Sequence, residues 1–174
     1  MTKTIIHDGK FLRLVKELHW EYVERTSGNE VVYIVPVLVS DKKYAILIKE
    51  YRIPMKAYVI GFPAGLVGDI GNESVETAAQ RELLEETGFK ANRMRYLTQG
   101  PPSSGLSPEN IHFYLADKLE KMDDGGGDDT ESIEVHQIPL EDIDSWIDNE
   151  VKCGSVLDAK LYVGLYFISK LCIE

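Results

Sequence analysis

Residues 61–90 read GFPAGLVGDIGNESVETAAQRELLEETGFK, and the fold turns on how this stretch is interpreted. Gly61, Gly65, Gly68 and Gly71, with Pro63 among them, exclude a regular element and predict a loop with unusual backbone angles. A helix is predicted directly after it, from about Ser74 to Thr87. Asn72 or Ser74 can cap its start, Val75, Ala79 and Leu83 form its apolar stripe, and Gly88 suits the left-handed position past its end. Glu82 stands three residues before Glu85 and four before Glu86, so the carboxylates share one side of the helix. Like charges at that spacing cost roughly 0.2–0.5 kcal/mol per pair and require a positive partner. Arg81 can pair with Glu85, which leaves Glu82 and Glu86 to bind a hard divalent cation through oxygen, with magnesium the natural choice. A glutamate-rich helix taken alone is more often a solvated acidic face. The glycines before it, Arg81 inside the cluster and Gly88 closing it favour the metal-binding interpretation.

Outward from this helix, period-two apolar patterns predict strands. Asp8-Gly9 separates Ile5-Ile6 from residues 11–23, which read as strand, and Ser27-Gly28-Asn29 breaks the chain before residues 31–39. That last run is continuously apolar, as in a strand buried on both faces, although Pro36 pushes it toward an edge or a bulge. Asp41-Lys42-Lys43 turns it into residues 44–48. Downstream, residues 95–98 and 111–115 read as strands around a long loop carrying Pro101, Pro102, Gly105 and Pro108, long enough to be functional. Residues 122–130, with three consecutive glycines and four aspartates, read as a mobile, solvated connector. Strand character resumes over 133–138, residues 140–148 read as a short helix, and Ser155 with Asp158 resembles a capping box starting a helix that carries Leu157, Leu161, Leu165 and Ile168.

A chain of 174 residues accommodates one domain with a full core, and 44% apolar with 28% charged residues is the balance of a folded protein. The formal charge of −10 argues against broad contact with nucleic-acid phosphates but permits a small anionic ligand neutralised by metal. Residues 1–10 carry no signal-like apolar run, and no stretch approaches the ~20 apolar residues of a membrane helix, so a cytoplasmic protein is expected. Cys153 and Cys172 lie outside any metal-type spacing and receive no function.

Gly65, Glu73 and the run Arg81-Glu82-Leu83-Leu84-Glu85-Glu86-Thr87-Gly88-Phe89 resemble the Nudix box. Every defined position of its second half is matched, including the spacing to Glu73, whereas seven rather than the family's five residues separate Gly65 from Glu73. Lys49-Glu50-Tyr51-Arg52-Ile53-Pro54-Met55 and Gly61-Phe62-Pro63-Ala64-Gly65 are similar to the segment before the box in the ADP-ribose and ADP-sugar pyrophosphatase branch. The resemblance implies an α/β (α+β) Nudix fold, mixed β-sheets sandwiched between helices. It further implies an N-terminal antiparallel strand element over 1–45 that mediates homodimerisation, and a hydrolase core over 46–174.

The same resemblance assigns roles. Glu82, Glu86, the Ala64 carbonyl and Glu131 become ligands for Mg2+, with Mn2+ a substitute. Glu131 is also the base for water, with Asp129 and Glu134 as rivals, and Arg81 and Glu85 complete the catalytic group. Arg52 becomes a ligand contact, although an ion pair with Glu50 fits it equally well. Ser104, Gly105 and Leu106 occupy a substrate-binding segment in which Ser104 replaces the usual proline, and Gly61 replaces a usual glutamate. Trp20 and Tyr51, with Tyr22, are aromatics able to stack on a base. The implied reaction is magnesium-dependent cleavage of ADP-ribose or an ADP-sugar to AMP and a sugar phosphate. Another nucleoside diphosphate sugar such as a GDP-sugar, or a dinucleotide, is the alternative substrate, and a non-catalytic sugar-nucleotide sensor ranks below both.

Overall fold

Six consecutive residues, 32–37, are buried on a single strand, and the rest of the molecule is arranged around it. The computed structural model describes residues 2–127 and 132–170. That strand is β4 (Glu30–Val39). Three strands precede it: β1 (Thr4–Asp8), β2 (Leu12–Glu17) and β3 (Trp20–Arg25). After it come β5 (Lys43–Arg52), β6 (Ala57–Gly61), β7 (Ala64–Leu66), α1 (Val75–Thr87), β8 (Phe89–Gly100) and β9 (Asn110–Lys121). The chain closes with β10 (Ile133–Pro139), α2 (Ile143–Lys152), β11 (Val156–Leu157) and α3 (Lys160–Lys170). No helix among the described residues is long and apolar enough to cross a membrane.

β1, β2 and β3 form a separate antiparallel sheet, and the other strands form an eight-stranded mixed sheet in the order β11-β6-β5-β4-β9-β8, with β10 on β5 and β7 on β4. The fold is α+β, as the pattern predicts. Val32 and Ile34 point toward α1, where they join Ala78, Ala79 and Leu83 in one core. Tyr33, Val35 and Val37 point the other way, into a second core closed by Ile143 and Ile147 of α2 and Leu161 and Ile168 of α3. Each such large apolar side chain contributes about 1.5–3 kcal/mol on burial, so the central strand is clamped from both faces.

Several elements depart from the sequence expectation. Residues 11–23 hold strand as expected, but in two pieces, because Leu18, with φ of 56°, turns β2 into β3. Residues 61–71 are not wholly irregular, because Gly61 ends β6 and residues 64–66 pair with residues 31–33 of β4. Pro36 lies within a central strand rather than at an edge. It falls between the two partners on one side of β4, β7 over residues 31–33 and β5 over residues 37–39, where a missing N–H costs least. β8 and β9 run much longer than 95–98 and 111–115 because they pair with each other along their length. The helix expected over 140–148 begins only at Ile143, after Pro139 has ended β10. The capping box does not form: Ser155 donates to Glu150, Leu157 pairs in β11, and Asp158 alone caps α3 by accepting the Lys160 N–H at 2.9 Å. β4 lies in the eight-stranded sheet, so the separate N-terminal sheet ends at Arg25 rather than at residue 45.

The glycine run expected to be a mobile connector has a packing role over its described part. Gly126 and Gly127 donate to the Glu86 and Glu85 carbonyls at 2.9 and 3.1 Å, satisfying the end of α1. Gly88, with φ of 70°, donates to the Leu84 carbonyl and accepts from Met122 at 2.8 Å. A Cβ at Gly88 would overlap the Asp123 backbone. Gly88→Ala is therefore expected to lower unfolding stability by more than about 1 kcal/mol, combining left-handed strain with overlap against main chain. Urea unfolding followed by circular dichroism measures this, and an unchanged midpoint would contradict it.

Candidate active site

Ser74 caps α1 by accepting the Thr77 N–H at 3.1 Å, and the helix then presents its glutamates toward β7. Glu82 and Glu86 are only 9% and 3% exposed, whereas the Glu85 side chain is half exposed. Burying a carboxylate costs several kcal/mol unless it is paired and hydrogen-bonded. Arg81 supplies much of the pairing. Its Nη1 donates to Glu82 at 2.8 Å and Glu85 at 2.9 Å, and its Nη2 donates to Glu73 at 2.9 Å and the Leu66 carbonyl at 3.1 Å. The expectation that Arg81 would pair with Glu85 and leave Glu82 apart is thus corrected. One planar guanidinium spans both, because its donors diverge in a fork. Burial opposes the charge on Arg81, but Glu73, Glu82 and Glu85 outweigh it and raise its pKa above the ordinary value.

The Ala64 N–H donates to Glu86 at 3.0 Å, and a Cβ on Gly65 would overlap the Glu82 carboxylate. Both carboxylates therefore lie flush against the β7 backbone, and the glycine is what permits it. Among the described residues, no group of three Asp, Glu, His or Cys side chains is arranged to hold a metal ion. The chemistry of the donors still fits a hard divalent cation, since they are carboxylate oxygens beside a strand carbonyl at Ala64. Asp129 and Glu131 lie outside the described residues, and Glu134 is an exposed residue of β10 beside His136 at 3.6 Å.

Glu82, Glu85, Ala64 and Arg81 open into a cavity of about 650 Å³. Arg52 also lines it while pairing with Glu50 at 2.8 Å. Trp20, Ser104 and Gly105 line a second recess of about 320 Å³ with Tyr22 and Leu18. Leu106 is exposed and accepts the Val23 N–H at 2.9 Å, which ties this loop to β3. Tyr51 stacks edge-on against Tyr58 and lines neither space. Five groups on the cavity wall were not anticipated: Arg25 bonded to Glu109 at 2.5 Å, Tyr33, Asp158 and Lys160. They come from a strand end, a strand interior, a loop and a helix start far apart in sequence, and no local pattern marks them.

Residues 28–153 match the NUDIX domain family, which is most of the chain, and the protein belongs to the Nudix family of phosphoanhydride hydrolases. It is 29% identical to an ADP-ribose pyrophosphatase of Bacillus subtilis, over 95% of this chain and 91% of that protein. A GDP-mannose pyrophosphatase of Escherichia coli O1:K1 is 27% identical over 92% and 81% of the two chains. The crystal structure of an ADP compounds hydrolase superposes with a TM-score of 0.73 at 25% identity, covering 98% of this chain and 91% of that one.

The Arg81 cluster has a pH signature. Hydrogen bonding to Arg81 holds the Glu73 carboxyl below its ordinary 4.5. A carboxyl lowered in the folded state stabilises the fold above its unfolded pKa, and that contribution is lost as pH falls through the lowered folded value. Arg81→Met should therefore destabilise the protein most at neutral pH, with the deficit shrinking as pH drops below 4.5. Unfolding free energies of both proteins at pH 7 and pH 3.5 decide this, and a deficit independent of pH would refute it.

Proposed function

We propose that the chain hydrolyses the diphosphate of a nucleoside diphosphate sugar with magnesium, best ADP-ribose or an ADP-sugar, giving AMP and a sugar phosphate. The supporting observation is a pair of buried glutamates on α1, Glu86 held by the Ala64 N–H and Glu82 by Arg81, with Glu82 opening into a cavity also lined by Arg52 and Arg25. Glu82, Glu86 and the Ala64 carbonyl would hold the metal. Magnesium, when bound, neutralises phosphoryl oxygens and makes the attacking water more acidic. The chain's own groups do the rest. Arg52 and Arg25 offer planar donors to phosphate oxygens, and Arg81 keeps Glu82 and Glu85 in place against mutual repulsion. Water adds to one phosphorus, the bridging P–O bond breaks, and each product leaves as a phosphate monoester. Glu131 is the proposed acceptor of the water's proton, with Asp129 and Glu134 as the other carboxylates of that segment.

Similarity to the GDP-mannose enzyme favours a guanosine sugar as the second reading of substrate. The exposed apolar side chains Ile5 and Ile6 of β1 and Leu12 of β2 support the proposed homodimer, since a partner would remove them from water. Light scattering after gel filtration should give twice the 19.6 kDa chain mass, and a monomer would remove the proposal.

Glu86→Gln is expected to reduce turnover by about 100-fold or more while leaving the circular dichroism spectrum unchanged, as loss of a metal ligand does. A panel of nucleoside diphosphate compounds with magnesium, read as phosphate released after phosphatase treatment, measures both specificity and this loss. Near-normal rates in the variant would overturn the metal role.

A further inference from the structure

Gly61 closes β6 on the cavity wall, and its φ lies outside the left-handed region, so the backbone does not require glycine there. A Cβ at this position would stand 3.1 Å from the Tyr33 hydroxyl, 3.4 Å from Asp158 Cβ and 3.7 Å from Asp158 Oδ2. The missing side chain leaves a notch between a phenol and a carboxylate. We infer that this corner, formed by Gly61, Tyr33, Asp158 and Lys160, reads the hydroxyl groups of the sugar carried by the diphosphate, an inference that rests on the nucleoside diphosphate sugar reading above.

The donor and acceptor inventory carries the argument. The Tyr33 hydroxyl accepts the Phe62 N–H at 3.1 Å, and burial together with the Asp158 charge raises its pKa well above the ordinary value, so it remains an O–H donor. Asp158 is held in place twice, by the Lys160 N–H at 2.9 Å and by Lys160 Nζ at 2.5 Å. Its carboxylate accepts hydrogen bonds while the ammonium beside it donates them. A phenol donor, a carboxylate acceptor and an ammonium donor around one notch match adjacent hydroxyls, each of which both gives and takes a hydrogen bond. A nucleobase would instead need a flat ring face. Tyr33 offers none, since Lys160 Nζ sits 5.3 Å above its ring and Phe62 and Phe113 pack around it at 6.0 and 5.3 Å between centroids. The same cavity reaches Glu82 and Glu85, so one ligand can engage both regions.

Sites built to hydrogen-bond a hydroxyl discriminate strongly against analogues lacking it, because their own polar groups are then left unmatched. The test is metal-free binding by calorimetry in EDTA, using ADP-ribose and GDP-mannose, each against the methyl ester of the matching diphosphate, which has the same charge and no sugar. At least one sugar compound should bind about tenfold or more tightly than its ester. Asp158→Asn, which keeps an acceptor for the Lys160 N–H, and Gly61→Ala, which fills the notch, should each erase most of that difference while leaving ester binding within about twofold. Should Gly61→Ala fail to fold, Asp158→Asn decides alone. The inference is overturned if neither sugar compound outbinds its ester, or if the variants weaken sugar compound and ester alike. Absence of turnover with magnesium, scored separately, would count against the proposed reaction and leave this binding comparison standing.

Discussion

The guanidinium of Arg81 joins three parts of the chain at one point: α1, the segment before it and β7. Its five donors reach carboxylates on its own helix, Glu73 before the helix, and the carbonyl of Leu66 on β7. Without a cation at that point, Glu73 and Glu82 would be buried like charges, and relief would come by unwinding the start of α1 or by swinging the carboxylates into the cavity. A lysine could not substitute, because a single ammonium cannot span a fork of four acceptors. The geometry of the proposed metal site is thus a property of one cation's shape as much as of the anions around it.

The helix and its caps were legible because they depend on local spacing. Ser74, Gly88 and the placement of Glu82 relative to Glu86 follow from a 3.6-residue period and the unmatched groups at helix ends. Residues 31–39 were legible for a related reason, since nine consecutive residues without a charge, most of them β-branched, fit a strand covered on both faces. Local reading failed where long-range pairing decides. Residues 64–66 look irregular yet become strand because β4 offers them an edge, and Leu157 looks helical yet pairs with Ile60. The turn at Leu18 carries no glycine, asparagine or proline, so nothing in the residues themselves marks it.

The site divides along the same line. Glutamates on one helix announce themselves, whereas the cavity beside them draws on Arg25, Glu109, Asp158 and Lys160, which meet only after folding. The described part of the glycine run after β9 shows the converse error, in which composition reads as slack chain but geometry makes it a helix cap. Positive φ at Gly125, Gly126 and Gly127 is what lets consecutive N–H groups face the carbonyls of Glu85 and Glu86.

The partner exchange at Pro36 bears on how such an enzyme can change. β4 sends alternate side chains into two separate cores, so inserting or deleting one residue would deliver Tyr33 to the α1 side and Ile34 to the opposite side. No single compensating change repairs both layers at once. New specificities must therefore arise at the rim, from chain ends and connecting segments that border the cavity, while the partition between the two layers is inherited intact.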